Sequence, residues 1–444
     1  MSFSAIPAIA KQRLFRHLVQ NTLTEEQTSQ DRAISSSTSS LSHELFAFSQ
    51  VNKECRHLAA AHLFETLDAS VLLDFPLDSH LSGSPLSSYI HTIRLPLSDL
   101  EVLDIFPLLR SLPSLSTVVF DQPHLDDQDP FESQDTLLSL FLNPELRLLS
   151  EDADEAYGVL RELAEKEGMK WVFVGAKGET VAKFLHTLGR GTQHLTFETN
   201  GINTEEDDCL LEQNEPLLLR RALAECYALQ SLSMVSAIPC TSDKLGHDID
   251  PSWLTLKPAF ASTLTSLTLS LPSLSTSTLK FLSLFPALTH LTLFLRSSAM
   301  VEAAPDPADV KPLPLGRLSS LSLSLPCLSS ATCTLSEFHL PLLHHLELSF
   351  LRLLDATEVE VETHALAEEL ESHFDFLTTH LRTKLPHLRL VQLSRRSKVL
   401  RQEGKSEPVA KEERELVADA VKEMQQRLRS HSGGKGMWVE VVDA

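Results

Sequence analysis

Glycine is scarce in this chain, with 14 residues among 444. Loops that cradle phosphate need several glycines at fixed short spacing, and neither a P-loop nor a G-x-G-x-x-G run is present. The nearest approach, Gly175-Ala-Lys-Gly178, is too short and lacks a hydroxyl after its lysine, so it reads as a turn. The nucleophile elbow G-x-S-x-G and the zinc helix H-E-x-x-H are also missing, and His43-Glu44 has no second histidine. Asp126-Asp127-Gln128-Asp129 lacks the glycine and distal glutamate of a calcium loop. His344-His345 has no further ligand run beside it. The expectation is a protein that is not an enzyme, with no metal and no cofactor.

Positive charge is short as well. The net charge is −22, which disfavours nucleic acid and anionic membrane as partners, since both need basic patches. The acidity is uneven: between Asp121 and Glu167 there are 14 acids and 3 bases. Such a block is a solvated loop and helix face, or a contact for a basic partner. The 6 cysteines, Cys55, Cys209, Cys226, Cys240, Cys327 and Cys333, form no C-x-x-C pair. They read as reduced, buried thiols of a cytoplasmic or nuclear protein. Lys11, Arg13 and Arg16 interrupt the only early apolar stretch, so no secretory signal is expected. The uncharged run from Pro258 to Leu279 is long enough to span a membrane. Its Ser and Thr content, its prolines and its alternating apolar residues make it strand and turn instead.

What is abundant is leucine, and it repeats. The pattern L-x-x-L-x-L has clean copies at Leu264-Leu267-Leu269, Leu288-Leu291-Leu293, Leu318-Leu321-Leu323 and Leu343-Leu346-Leu348. Their starts step by 24, 30 and 25 residues, close to the repeat length of about 20–29 residues seen in leucine-rich repeats. Looser copies are Ile90-Ile93-Leu95, Leu115-Val118-Phe120, Met169-Val172-Val174, Leu229-Leu232-Met234 and Leu388-Val391-Leu393, with Thr192-Leu195-Phe197 weaker still. In a strand, alternate residues share a face, so the last two apolar positions point into a core. One unit cannot bury its own apolar side, so units must stack. The expected fold is α/β: an irregular leucine-rich repeat solenoid with a curved parallel sheet and convex helices. Two amphipathic stretches suit the convex side, one through Ala156, Leu160, Leu163 and Ala164, the other through Leu366, Leu370, Phe374, Leu377 and Leu381.

Residues between the core positions fall on the concave face. They include Lys170, Trp171, Phe173, His194, Thr268, His290, Thr292, Ser322, His345 and Glu347, the candidate substrate-binding strip. Trp171 and Phe173 on that face would form a natural hot spot. A register one residue away buries both rings instead.

Residues 1–68 do not follow the repeat. Ile6-Pro7 opens a helical pattern with Leu14, Phe15 and Leu18 on one side. Residues 21–40 form a polar, Ser/Thr-rich inserted loop. A second helical run carries Leu45, Phe48, Val51, Leu58 and Leu63. The segment reads either as a cap on the first repeat or as a helical surface that docks on a partner. Ile6-Pro7, Leu14-Phe15, Leu18 and Val51-Asn52-Lys53-Glu54-Cys55-Arg56-His57-Leu58-Ala59 resemble the F-box family, with Cys55 where the family has tryptophan. Leu63-Phe64-Glu65-Thr66-Leu67 is similar to the link that carries F-box chains into their first repeat strand, and residues 84–95 are similar to first-repeat segments of fungal F-box proteins. The resemblance implies a substrate receptor of an SCF-type ubiquitin ligase. Ile6, Pro7, Leu14, Phe15, Leu18, Val51 and Lys53 would contact the Skp-type adaptor that bridges to the cullin. The repeats would hold the protein to be ubiquitylated. The alternative is a repeat scaffold with no ligase role.

The expected organisation is therefore an F-box-like domain over 1–68, repeats over 69–394, and a charged helix and cap over 395–444. In the last part, Leu416, Val417, Ala420, Val421, Met424 and Leu428 share a stripe, and Trp438-Val-Glu-Val-Val adds a final strand.

Overall fold

The computed structural model describes residues 59, 62–81, 83–96, 100–121, 143, 147, 151–176, 178–199, 215–236, 258–271, 274, 276–295, 312–325, 334–351, 385, 387–396, 426 and 438–443. They divide into two compact units, one of Met1–Ile238 with Pro258–Phe260, the other of Pro239–Lys257 with Ala261–Ala444. Each is α/β and built on parallel strands.

In the first unit the strands are β1 (Thr66–Asp68), β2 (Thr92–Pro96), β3 (Thr117–Asp121), β4 (Lys170–Val174), β5 (His194–Thr199) and β6 (Ser231–Ser236). Each pairs in parallel with the next. The chain must return to the same end between strands, and it does so partly through helices. These are α1 (Ala69–Leu72), α2 (Phe106–Leu109), α3 (Glu151–Glu165), α4 (Gly178–Phe184) and α5 (Glu215–Glu225). In the second unit the strands are β7 (Ser266–Leu271), β8 (His290–Leu295), β9 (Ser320–Leu325), β10 (His345–Leu351), β11 (Leu390–Arg396) and β12 (Trp438–Asp443), again parallel neighbours, with α6 (Thr276–Leu282) between the first two. The expected final strand is thus present, and the uncharged run after Pro258 holds a strand. Among the described residues no helix is long and apolar enough to cross a membrane.

The register explains the leucine spacing. Leu267, Leu291, Leu321 and Leu346 stand side by side, as do Leu269, Leu293, Leu323 and Leu348, and all are buried. The leading leucines Leu264, Leu288, Leu318 and Leu343 are buried too. Each fully buried leucine contributes roughly 1.5–3 kcal/mol relative to exposure, so the stacked rows dominate the core. A tight turn precedes the leading residue. The N–H of Leu115 donates to the Leu112 carbonyl, that of Leu288 to Phe285 and that of Leu343 to Leu340. Pro113, Pro286 and Pro341 follow the accepting residues, where a fixed φ favours the turn.

One feature at the strand starts was not read from the sequence. Two successive N–H groups converge on one carbonyl of the preceding repeat. Thr289 and His290 donate to Thr265 O at 2.8 and 2.9 Å, Ser319 and Ser320 to Thr289 O at 2.9 and 3.0 Å, and His344 and His345 to Ser319 O at 2.9 and 3.0 Å. A hydroxyl often joins them: Thr289 Oγ1 donates to Thr265 O at 3.0 Å, and Ser319 Oγ to Thr289 O at 3.0 Å. Short hydroxyl side chains suit this place because they reach a backbone carbonyl without leaving the chain path. Thr289→Val keeps the branched shape and loses the hydroxyl. It is expected to cost about 0.5 kcal/mol, the low end for an exposed bond, read from urea unfolding.

On the helix side of the first unit, α3 buries Ala153, Ala156, Val159, Leu160 and Leu163, as the amphipathic spacing predicts. Its other face carries the acids, with Glu151, Asp152 and Asp154 in the first turn, where the helix dipole favours them. Arg110 donates two bonds to Glu162, each 2.8 Å, and lies 3.6 Å from Glu155. The bond from Arg110 holds the Glu162 carboxyl below its ordinary range. The helical half of the acidic block is thus a solvated face fixed to α2 by one guanidinium.

Most of residues 1–68 lie outside the described residues, and with them all seven adaptor-contact positions from Ile6 to Lys53. The stripes at Leu366–Leu381 and Leu416–Leu428 also lie outside them. Ala59, His62 and Leu63 are helical, and β1 already pairs with β2, so among the described residues the strand ladder begins at Thr66, inside the segment assigned to the helical domain.

Candidate protein-binding faces

Alternation leaves each unit with an outer sheet face made from the residues between the core positions. In the second unit the leading outer row is Ser266, His290, Ser320 and His345, and the next is Thr268, Thr292, Ser322 and Glu347. His290 is exposed and the others are part-exposed. Thr268, His290, Thr292, Ser322, His345 and Glu347 thus stand on the outer face, as the alternation predicts. Its histidines are held by neighbours: Thr289 Oγ1 lies 2.9 Å from His290 Nδ1, and Ser320 Oγ lies 3.1 Å from His345 Nδ1. The Thr289 hydroxyl proton is directed to the Thr265 carbonyl. The direction of the Thr289–His290 contact follows the imidazole tautomer.

In the first unit the leading outer row is Thr66, Thr92, Thr117, Lys170, His194 and Ser231. The middle row is Asp68, Arg94, Val119, Val172, Thr196 and Ser233, and the trailing row is Pro96, Asp121, Val174, Glu198 and Val235. Lys170 is exposed and His194 part-buried. Burial, and then the Lys170 charge, push His194 below its ordinary pKa, so its neutral form is favoured. Burial, then Asp121, push Glu198 upward, partly offset by Arg94.

Two members of the expected strip are not on it. Trp171 and Phe173 are 1% and 0% exposed. Trp171 pairs in register with Val118, and Phe173 with Phe120, both core residues. The rings join Phe120 and Phe184 in a cluster with centroid separations of 5.0–6.1 Å. The repeat frame of β4 is therefore one residue away from Met169-Val172-Val174, and Val172 and Val174 take the outer face. Gly168, with φ of 78°, occupies the leading position that leucine holds elsewhere, and only glycine adopts that conformation without strain. Gly175, with φ of 70°, turns the chain after β4, in keeping with the turn expected there.

Val172 was expected at a core position of its repeat; the outer-face residues Arg94, Asp121, Glu198 and Val119 do not figure in the expected strip. Extending the alternation from Ile93, Val118 and Leu195 finds them. Cys226 is buried, and burial, then Glu225, push its thiol up to about 12, so it is inert at neutral pH. Among the described residues no group of three or more His, Cys, Asp or Glu is placed to hold a metal ion.

Glu198 yields a test with a definite sign. A carboxyl raised in the folded state binds protons more tightly than in the unfolded chain, so its cost is present at neutral pH and disappears below the ordinary value of 4.5. Glu198→Gln is expected to raise the melting temperature at pH near 7. The gain should vanish as the pH falls below 4.5, and paired thermal melts across that range check it.

No protein-family model matches the chain, and no curated protein is similar to it.

Proposed function

We propose that the chain is a protein-binding adaptor: a leucine-rich repeat solenoid that holds a protein on its outer sheet faces, with an F-box-like segment that docks a Skp-type adaptor. It would deliver the bound protein to an SCF-type ubiquitin ligase in the cytoplasm or nucleus. The observation that carries the binding half is the in-register alternation, which commits leucine to the core and leaves rows of part-exposed hydroxyl, imidazole and charged side chains. Such rows offer many hydrogen-bonding groups at fixed spacing, a form suited to a protein surface. The ligase half rests on Ile6-Pro7, Leu14-Phe15, Leu18 and the run from Val51 to Ala59. The chain's own role is to position a substrate, with the covalent chemistry supplied by the ligase. Cys55 and the inserted loop over 21–40 favour a second reading, a repeat scaffold capped by its first helices.

Quantitative affinity purification of the full chain beside a 59–444 truncation separates the two. That truncation keeps β1 and every other described strand. Adaptor and cullin enriched with the full chain alone support the ligase reading. Equal enrichment, or none with either, sinks it.

A further inference from the structure

On the outer face of the first unit, charge is sorted by row. The leading row holds Lys170 and His194 side by side and no acid: Thr66, Thr92, Thr117 and Ser231 complete it. The trailing row holds Asp121 and Glu198 on either side of Val174 and no base. Between them the centre is apolar, with Val119 beside Val172 and then Thr196. Toward the β1 edge this middle row carries Arg94 beside the exposed Asp68, one charge of each sign, and Arg94 partly offsets the burial and Asp121 effects on Glu198. In a chain of net charge −22, general attraction favours basic partners, so a leading row that carries the exposed Lys170 and no acid is a local departure.

We infer that this face takes an extended segment of a partner protein that carries an acidic residue, an apolar residue and a basic residue at alternate positions. The match is geometric. From Lys170 to Val174 is four residues, about 13 Å at about 3.3 Å per residue. An extended segment laid along the strands shows residues i, i+2 and i+4 on one side over the same length. Its acid lies over Lys170 and His194, its apolar side chain over Val119 and Val172, and its base between Asp121 and Glu198. The valines give the stem of a lysine or arginine an apolar floor, while the carboxylates receive its charged head. A segment with its acid first runs parallel to the strands, and one with its base first runs antiparallel to them. This inference rests on the reading that the outer faces bind protein, and it does not depend on the ligase role.

The test uses the full chain and fluorescein-labelled peptides in which Gly/Ser flanks surround a central Glu-Ser-Leu-Ser-Lys, Glu-Ser-Leu-Ser-Glu or Lys-Ser-Leu-Ser-Lys. Anisotropy titrations at low salt are expected to show the mixed peptide binding about fivefold tighter than either like-charged one, the scale of one exposed ion pair. In Lys170→Glu both edges become acidic, and the all-basic peptide should become the tightest. Lys170 is exposed, so that variant keeps the fold, and an unchanged melting temperature verifies it. Preference of the native chain for the all-basic peptide, no ranking at all, or a ranking unchanged by Lys170→Glu would overturn the inference. Co-purification of the Skp-type adaptor with the same protein tells failure of this face from failure of the ligase reading.

Discussion

Replacing Trp171 with alanine is expected to lower stability by about 3–5 kcal/mol, the usual range for deleting a buried aromatic. The indole is 1% exposed, stacked on Phe120 at 6.1 Å with ring planes 7° apart, and tilted against Phe184 at 5.0 Å. Phe120 also stacks on Phe173 at 5.2 Å, so one truncation leaves a void shared by several rings. Rings fixed by β3, β4 and α4 cannot collapse freely into such a void, which places the cost high in the range. Urea unfolding followed by far-ultraviolet circular dichroism reads it. Lys170→Ala, one residue away on the exposed face, should change stability by no more than about 0.5 kcal/mol. If Trp171→Ala kept its stability, the assigned register of β4 would be wrong.

The second large effect is expected at the amino terminus. Phe15→Asp should weaken binding to a Skp-type adaptor by at least about 100-fold, as for a charge placed at an interface hot spot. The melting temperature should hold, because the ladder from β1 onward has its own core. Val51→Asp should behave alike. If the segment is instead a cap on the first repeat, both variants should unfold the neighbouring strands. Thermal melts and adaptor titrations on one preparation separate the outcomes.

The four clean leucine copies could be read correctly from the sequence because leucine at alternate positions between polar residues leaves one choice of face. β4 is different. In Lys170-Trp171-Val172-Phe173-Val174 both faces are apolar, so alternation alone does not choose between them. What decides it is pairing with Val118 and Phe120, a non-local fact. Gly168 hides the leading position as well. The short β1 carries too few residues for a period to show, and its place comes from pairing with β2. The converging N–H groups at Thr265, Thr289 and Ser319 were not legible because a lone Ser or Thr before a strand has many uses. On the outer faces, Lys170, His194, His290 and Glu347 followed from the alternation once the frame was right. The row-by-row sorting of charge in the first unit needed the register of strands far apart in sequence.

The most direct measurement is a calorimetric titration of a purified Skp-type adaptor into the full chain and into the 59–444 truncation, with both shown to be folded. One-to-one binding to the full chain and no heat with the truncation is the predicted result. Equal binding to both, or none to either, would contradict the adaptor role and leave a repeat scaffold without a ligase.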